Sequence, residues 1–297
     1  MDILGIEWRK GRVLLADGAW GTEFFKRGLM QGNPPDEWNL LHPEIVEEIT
    51  REYLEAGAEV ILTNTFGANR LRLESHGLAG RAKEINEQGA RLARTVVGGS
   101  AVVAGDIGPC GKLFALGEVG SEELYAAFAE QAAGLRAGGA DWIVVESMTD
   151  MEEMAVAVKA ARECAGVPVV ASMTYNKTPK GFRTMMGNSP EACVEKALAA
   201  GASIVGANCG SGIEDYVPLA PVLRGLTDLP LWIKANAGIP GIVEGKVVYP
   251  LDPLQYASYV PALVEAGVDA IGGCCGTDPR FIREVGRQLS KIGRKQA

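Results

Sequence analysis

Eight short apolar runs, alternating along the whole chain with segments of helical periodicity, predict an α/β fold closed as a (β/α)8 TIM barrel. Two further observations support closure. The 297 residues suit eight such units, and a glycine between small residues recurs just before every second strand. The strands are expected at residues 13–16, 60–65, 102–106, 142–146, 169–173, 204–207, 231–234 and 270–273, where β-branched and apolar side chains cluster. Apolar residues return with a 3.6-residue period over 43–56, 122–137, 151–165 and 254–266, which predicts helices there.

The punctuation of the chain agrees with this order. Ser189, Asp252 and Asp278 each precede a proline, placing a capping side chain ahead of proline at the first helical position. Thr149 followed by Glu152 has capping-box spacing at the helix after the fourth strand. Gly57, Gly139, Gly201 and Gly267 end helices and return the chain to strands two, four, six and eight. No linker or low-complexity stretch interrupts the pattern, so residues 1–297 read as one domain, with a basic tail over 291–297 expected to fray.

Bulk composition excludes several classes of function. With 47% hydrophobic and 22% charged residues, the chain can bury an ordinary core. A net charge of −8 argues against nucleic acid or an anionic membrane as partner. No apolar run is long enough to span a bilayer, and Met1-Asp2-Ile3-Leu4-Gly5 lacks the order of a signal peptide. A cytoplasmic location is expected, where six reduced cysteines signify metal or catalysis more than disulfides. His42 and His76, the two histidines, sit at a helix start and in a loop, which leaves little room for histidine-based catalysis.

In a barrel of this kind, chemistry gathers at the C-terminal ends of the strands. Those ends carry Asp17, Asn64-Thr65, Glu146, Asn208-Cys209, Asn236 and Cys274-Cys275. Adjacent cysteines in a regular strand point to opposite faces, so Cys274 and Cys275 can share a metal only if the strand breaks there. Gly272, Gly273 and Gly276 make such a break sterically cheap. Cys209, Cys274 and Cys275 can then hold a tetrahedral zinc with one position open, the mark of a catalytic site. Read blandly, they are small buried hydrophobes at a tight corner. Cys164 and Cys193 fall in helices and read as structural, Cys110 reads as a loop thiol or a fourth ligand, and Gly111-Lys112 lacks the spacing of a P-loop.

The segments Asp17-Gly18-Ala19-Trp20-Gly21-Thr22, Thr63–Phe66, Gly105–Pro109, Gly206–Gly210 and Gly272–Thr277 resemble the homocysteine-binding domain of the homocysteine S-methyltransferases. That family includes the N-terminal part of cobalamin-dependent methionine synthase and the betaine- and S-methylmethionine-dependent enzymes. The resemblance implies that Cys209, Cys274 and Cys275 bind Zn2+. It implies that Asp17 and Glu146 hold the substrate amino group and that the Gly18-Ala19 backbone receives its carboxylate. Asn236 matches a position that can fill the fourth zinc site. The implied activity is methyl transfer to homocysteine, forming methionine.

Zinc coordination removes the proton of a thiol whose free pKa lies near ~8.5, so such a reaction needs no general base. The region from Gly105 to Glu118 resembles the cobalamin-dependent branch, which implies methylcobalamin supplied by a separate corrinoid carrier protein. A small sulfonium or ammonium donor (S-methylmethionine, S-adenosylmethionine or betaine) is the alternative, with Trp20 placed for a cation–π contact. Two rival readings remain. One is an isomerase or lyase binding phosphate at Asn236–Gly238 and Gly272–Gly273. The other is a non-enzymatic zinc or thiol-buffering scaffold.

Overall fold

The computed structural model describes residues 2–3, 6–7, 12–243 and 246–296. Met1, Leu4 and Gly5 of the N-terminal segment and Ala297 of the tail lie outside the described residues. Eight parallel strands form the frame: β1 (Leu14–Leu15), β2 (Val60–Leu62), β3 (Val102–Ile107), β4 (Trp142–Met148), β5 (Val169–Met173), β6 (Ile204–Gly212), β7 (Leu231–Asn236) and β8 (Ala270–Gly273). Each pairs with its sequence neighbour, β8 pairs back onto β1, and a bridge between Ala16 and Val60 closes the ring. This is the predicted (β/α)8 TIM barrel.

Strand alternation builds two cores from one sheet. Leu14, Ala16, Val60, Leu62, Ala104, Trp142, Val144, Val170, Ile204, Trp232 and Ala270 fill the barrel interior. Their odd-parity neighbours, such as Leu15, Ile61, Val103, Ile143 and Ile233, face outward and pack beneath the helices. The inward face therefore continues upward to Asp106, Glu146, Lys234 and Asn236 at the strand ends. The helix returns behave as expected, with φ of +100°, +101°, +92° and +83° at Gly57, Gly139, Gly201 and Gly267.

Two expectations need correction, one helix cap and one helix length. The helix after β4, Met151–Ala165, is capped by Asp150, whose carboxylate accepts the Glu152 and Glu153 amides, and not by Thr149. The periodic stretch 254–266 is two helices, Pro253–Ala257 and Val260–Glu265. Pro261 lacks an N–H and its ring crowds the carbonyl four residues earlier, and the second helix restarts with it in its first turn. The last helix runs over Pro279–Gln296, and Ala297 of the tail expected to fray lies outside the described residues. His42 stands at the helix start expected of it, at the N-cap position with no side-chain capping bond, and its ring packs edge-on against Trp38 at 4.8 Å. Two rim hairpins went unforeseen, Asn176–Thr178 with Gly181–Arg183 after β5 and Gly241–Val243 with Lys246–Val248 after β7. Among the described residues, no helix is long and apolar enough to cross a membrane.

Candidate metal centre

Strand β8 ends at Gly273, so Cys274 and Cys275 lie in the turn beyond it, where both side chains can face one point. Backbone bonds pin that turn: Cys274 N–H donates to Ala235 O at 2.7 Å and Ala237 N–H to Cys275 O at 3.0 Å. Thr277 Oγ1 donates to Cys274 O at 2.7 Å. Glycine is needed for packing here, since a Cβ on Gly272 would lie 2.7 Å from Asp17 O. Cys209 reaches the same point from a bulge in β6, where pairing with β7 slips between Cys209 and Gly212. Its φ of +61° is costly for a residue with a side chain, and Tyr216 Oη helps hold it by donating to Cys209 O at 2.7 Å.

The three Sγ atoms lie within 4.8 Å of one another, Cys274 and Cys275 at 4.0 Å. Thiolates tetrahedrally bound at about 2.3 Å from zinc lie about 3.8 Å apart, so the donor set suits that ion in number, softness and spacing. The thiols are also poor places for unaided negative charge. Cys274 contact pulls the Cys209 thiol down, but contact with Cys275 and burial outweigh it and push it up to about 11. Contact with Cys209 lowers Cys275, while Cys274 and burial raise it to about 12. Cys274, hydrogen-bonded with Cys209 and buried, is pushed well above the ordinary thiol range. A divalent cation is the natural remedy for three sulfurs so crowded. Asn236 stands at the end of β7: its amide nitrogen donates to Gly210 O at 2.8 Å, and its buried Oδ1 has no hydrogen-bond partner among the described residues.

Glu146 and Asp17 reach the same inner rim but differ in commitment. Glu146 Oε2 is buried without a hydrogen-bond partner among the described residues. Burial raises its pKa, with Lys234 opposing and Asp17 reinforcing the shift. Asp17 is fully enclosed and already accepts three hydrogen bonds: Lys234 Nζ at 2.6 Å, the Leu62 amide at 2.8 Å and Trp20 Nε1 at 2.9 Å. Trp20 is thus bound by its edge, with its ring against Phe24 and Tyr53. The Ala19 N–H, expected to meet a carboxylate, points at Thr277 Oγ1 over a long 3.2 Å. Asn64 and Thr65 are spent on the frame, bonding Pro35 O and Asp106 O.

Cys110 is buried outside the three-sulfur group, its Sγ 3.4 Å from the Lys112 carbonyl. Cys193 is buried in helix Pro190–Ala200, and Cys164 is exposed. The loops suggested for phosphate offer little, because Ala237 and Gly273 spend their N–H groups on Cys275 O and Asp17 O.

Sequence reasoning missed Lys234 and Asp106. Lys234 is buried, yet stays charged: burial acts to discharge it, and the Asp17 and Glu146 carboxylates more than offset that. A lysine inside an apolar strand run, Leu231-Trp232-Ile233-Lys234, was the available signal.

Residues 14–289 match the profile of the family described as homocysteine S-methyltransferase. The methionine synthase of Mycobacterium tuberculosis (strain ATCC 25618 / H37Rv) is 32% identical over 305 residues, covering 96% of this chain and 25% of its own. That of Mycobacterium leprae (strain TN) is 31% identical over 300 residues, covering 94% and 24%. The chain thus spans about a quarter of the length of these relatives. The crystal structure of the homocysteine methyltransferase MmuM from Escherichia coli, in its metallated form, aligns with a TM-score of 0.78 at 24% identity, covering 93% of this chain and 96% of that one. At that identity the likeness shows the fold.

Proposed function

The chain belongs to the homocysteine S-methyltransferase family, and from that membership we propose that it transfers a methyl group to the thiol of homocysteine, forming methionine, at a zinc site held by Cys209, Cys274 and Cys275. The observation that carries this reading is the convergence of three Sγ atoms within 4.8 Å on the inner rim. Bound there, zinc would supply the positive charge that keeps a substrate thiol deprotonated and nucleophilic at neutral pH. Asn236, with its unpartnered Oδ1, would complete the donor set until substrate arrives. Glu146 would receive the substrate ammonium, and the Gly18-Ala19 turn would present N–H groups to the carboxylate once Thr277 yields. A reducing compartment, the cytoplasm, would keep these thiols available.

The donor in this reading is methylcobalamin carried by a separate corrinoid protein that docks on the rim. Exposed apolar side chains on the rim loops support a macromolecular donor: Leu116 after β3, Met185 after β5, and Ile239 and Ile242 after β7 are each at least 66% exposed. Zinc-loaded protein assayed in parallel with methylcobalamin, a methylated corrinoid protein, S-methylmethionine and betaine tests the proposal. Methionine should form, fastest with the corrinoid protein. Failure with every donor, together with no homocysteine binding by isothermal titration, would sink it.

A further inference from the structure

The barrel mouth holds three buried carboxylates, Asp17, Asp106 and Glu146, and Lys234 is already taken. Lys234 projects from β7 across glycine-bearing β8 to β1, where its ammonium lies 2.6 Å from Asp17 Oδ1. Together with the Leu62 and Trp20 donors this closes Asp17 into the frame.

Asp106 and Glu146 present the opposite situation. They stand on neighbouring strands β3 and β4, where Asp106 pairs with Val144, two residues before Glu146, so alternation puts both carboxylates on the inward face. The main chain of Asp106 is fixed on both sides: its N–H donates to Thr63 Oγ1 at 3.0 Å and its carbonyl accepts from Thr65 Oγ1 at 2.8 Å. Its side chain is another matter. Asp106 is 5% exposed and Glu146 7%, and Asp106 Oδ1 and Glu146 Oε2 each lack a hydrogen-bond partner among the described residues. Buried carboxylates left this way are costly unless a cation with N–H donors joins them. Burial and the neighbouring Glu146 push the Asp106 carboxyl upward, and the charge of Lys234, whose hydrogen bond goes to Asp17, opposes them only in part.

Resting on the homocysteine reading above, we infer that Asp106 is a further substrate-binding residue which, with Glu146, grips the α-ammonium of the amino-acid thiol, while Asp17 serves as the anchor that Lys234 locks. An ammonium between the two carboxylates satisfies both orphaned oxygens and neutralises their mutual repulsion.

The test compares homocysteine with 4-mercaptobutanoate, which keeps the thiol and carboxylate and lacks the amine, by isothermal titration of zinc-loaded protein. Wild type should prefer homocysteine. Asp106→Asn should cut that preference by about 10-fold or more, the scale of one charge-assisted hydrogen bond, while 4-mercaptobutanoate binds as before. Asp17→Asn should lower the melting temperature. Thermal melts accompany each titration, with Asp106→Ser as a second variant should the Asn form not fold. Unchanged preference in folded Asp106 variants would overturn this inference alone, as would lost preference in Asp17→Asn at wild-type melting temperature. Wild-type protein that binds neither thiol would overturn the homocysteine reading with it.

Discussion

Asn208 grips Ser147 from both ends of its amide: Oδ1 accepts the Ser147 N–H at 2.8 Å, and Nδ2 donates to Ser147 Oγ at 2.7 Å. The two residues sit on β6 and β4, with β5 between them, and Ser172 of β5 adds a hydroxyl bond to the same Oδ1 at 2.7 Å. Ser147 and Cys209 are the described non-glycine residues with positive φ, at 59° and 61°. The clamp therefore sits where two rim bulges force unfavourable backbone, next to the sulfur cluster.

Removing the clamp should loosen the metal site before it unfolds the barrel. Asn208→Ala strands the Ser147 and Ser172 donors and deletes the Nδ2 contact to Cys274 Sγ at 3.8 Å. Zinc affinity, measured by chelator competition, should fall about 10–100-fold, the usual cost of losing a group that orients metal ligands. Wild-type affinity would contradict the clamp.

Cys274→Ala should abolish metal retention and turnover and leave the barrel folded, because the turn is held by backbone bonds from Cys274 and Thr277 that an alanine keeps. Elemental analysis after gel filtration, with circular dichroism, checks both halves. Full activity in this variant would refute the zinc assignment.

Lys234→Met should destabilise the fold by about 3–5 kcal/mol, the cost of leaving a buried carboxylate without its cation. Combining it with Asp17→Asn should restore a good part of that loss, because the uncompensated charge goes too. Denaturant unfolding of the two single variants and the double variant measures the coupling, and strict additivity would show that the pair does not interact.

Asp36 predicts a pH effect. Burial raises its carboxyl to about 6, although the Gly67 N–H donates to it at 2.9 Å and lowers it. The folded state then binds more protons than the unfolded chain between about pH 4 and pH 6, so stability falls as pH rises through that window and is level above it. The total is on the order of 3 kcal/mol. In Asp36→Asn the decline should be smaller by about that amount in melting curves taken across the window, and an identical decline in that variant would count against Asp36.

Much of this architecture was readable along the chain because barrel strands and their helices obey local periodicities. All eight strands lie where β-branched runs placed them, and the break after Gly273 followed from glycines flanking two cysteines. Local signals failed where two candidates competed. Asp150 and Thr149 both suit an N-cap, and only the helix's final register chose the aspartate. The role of Lys234 was out of reach of any local pattern, since its partner Asp17 stands far earlier in the sequence.

The alternation of apolar runs and the placing of thiols at strand ends belong to the order of residues, for periodicity alone sends side chains inward or outward. Which inward groups meet is decided by barrel closure and stagger, which carry Lys234 across β8 to Asp17 and leave Asp106 Oδ1 and Glu146 Oε2 without a hydrogen-bond partner among the described residues. Neither outcome is a local property, because each depends on how far every strand is shifted against the next.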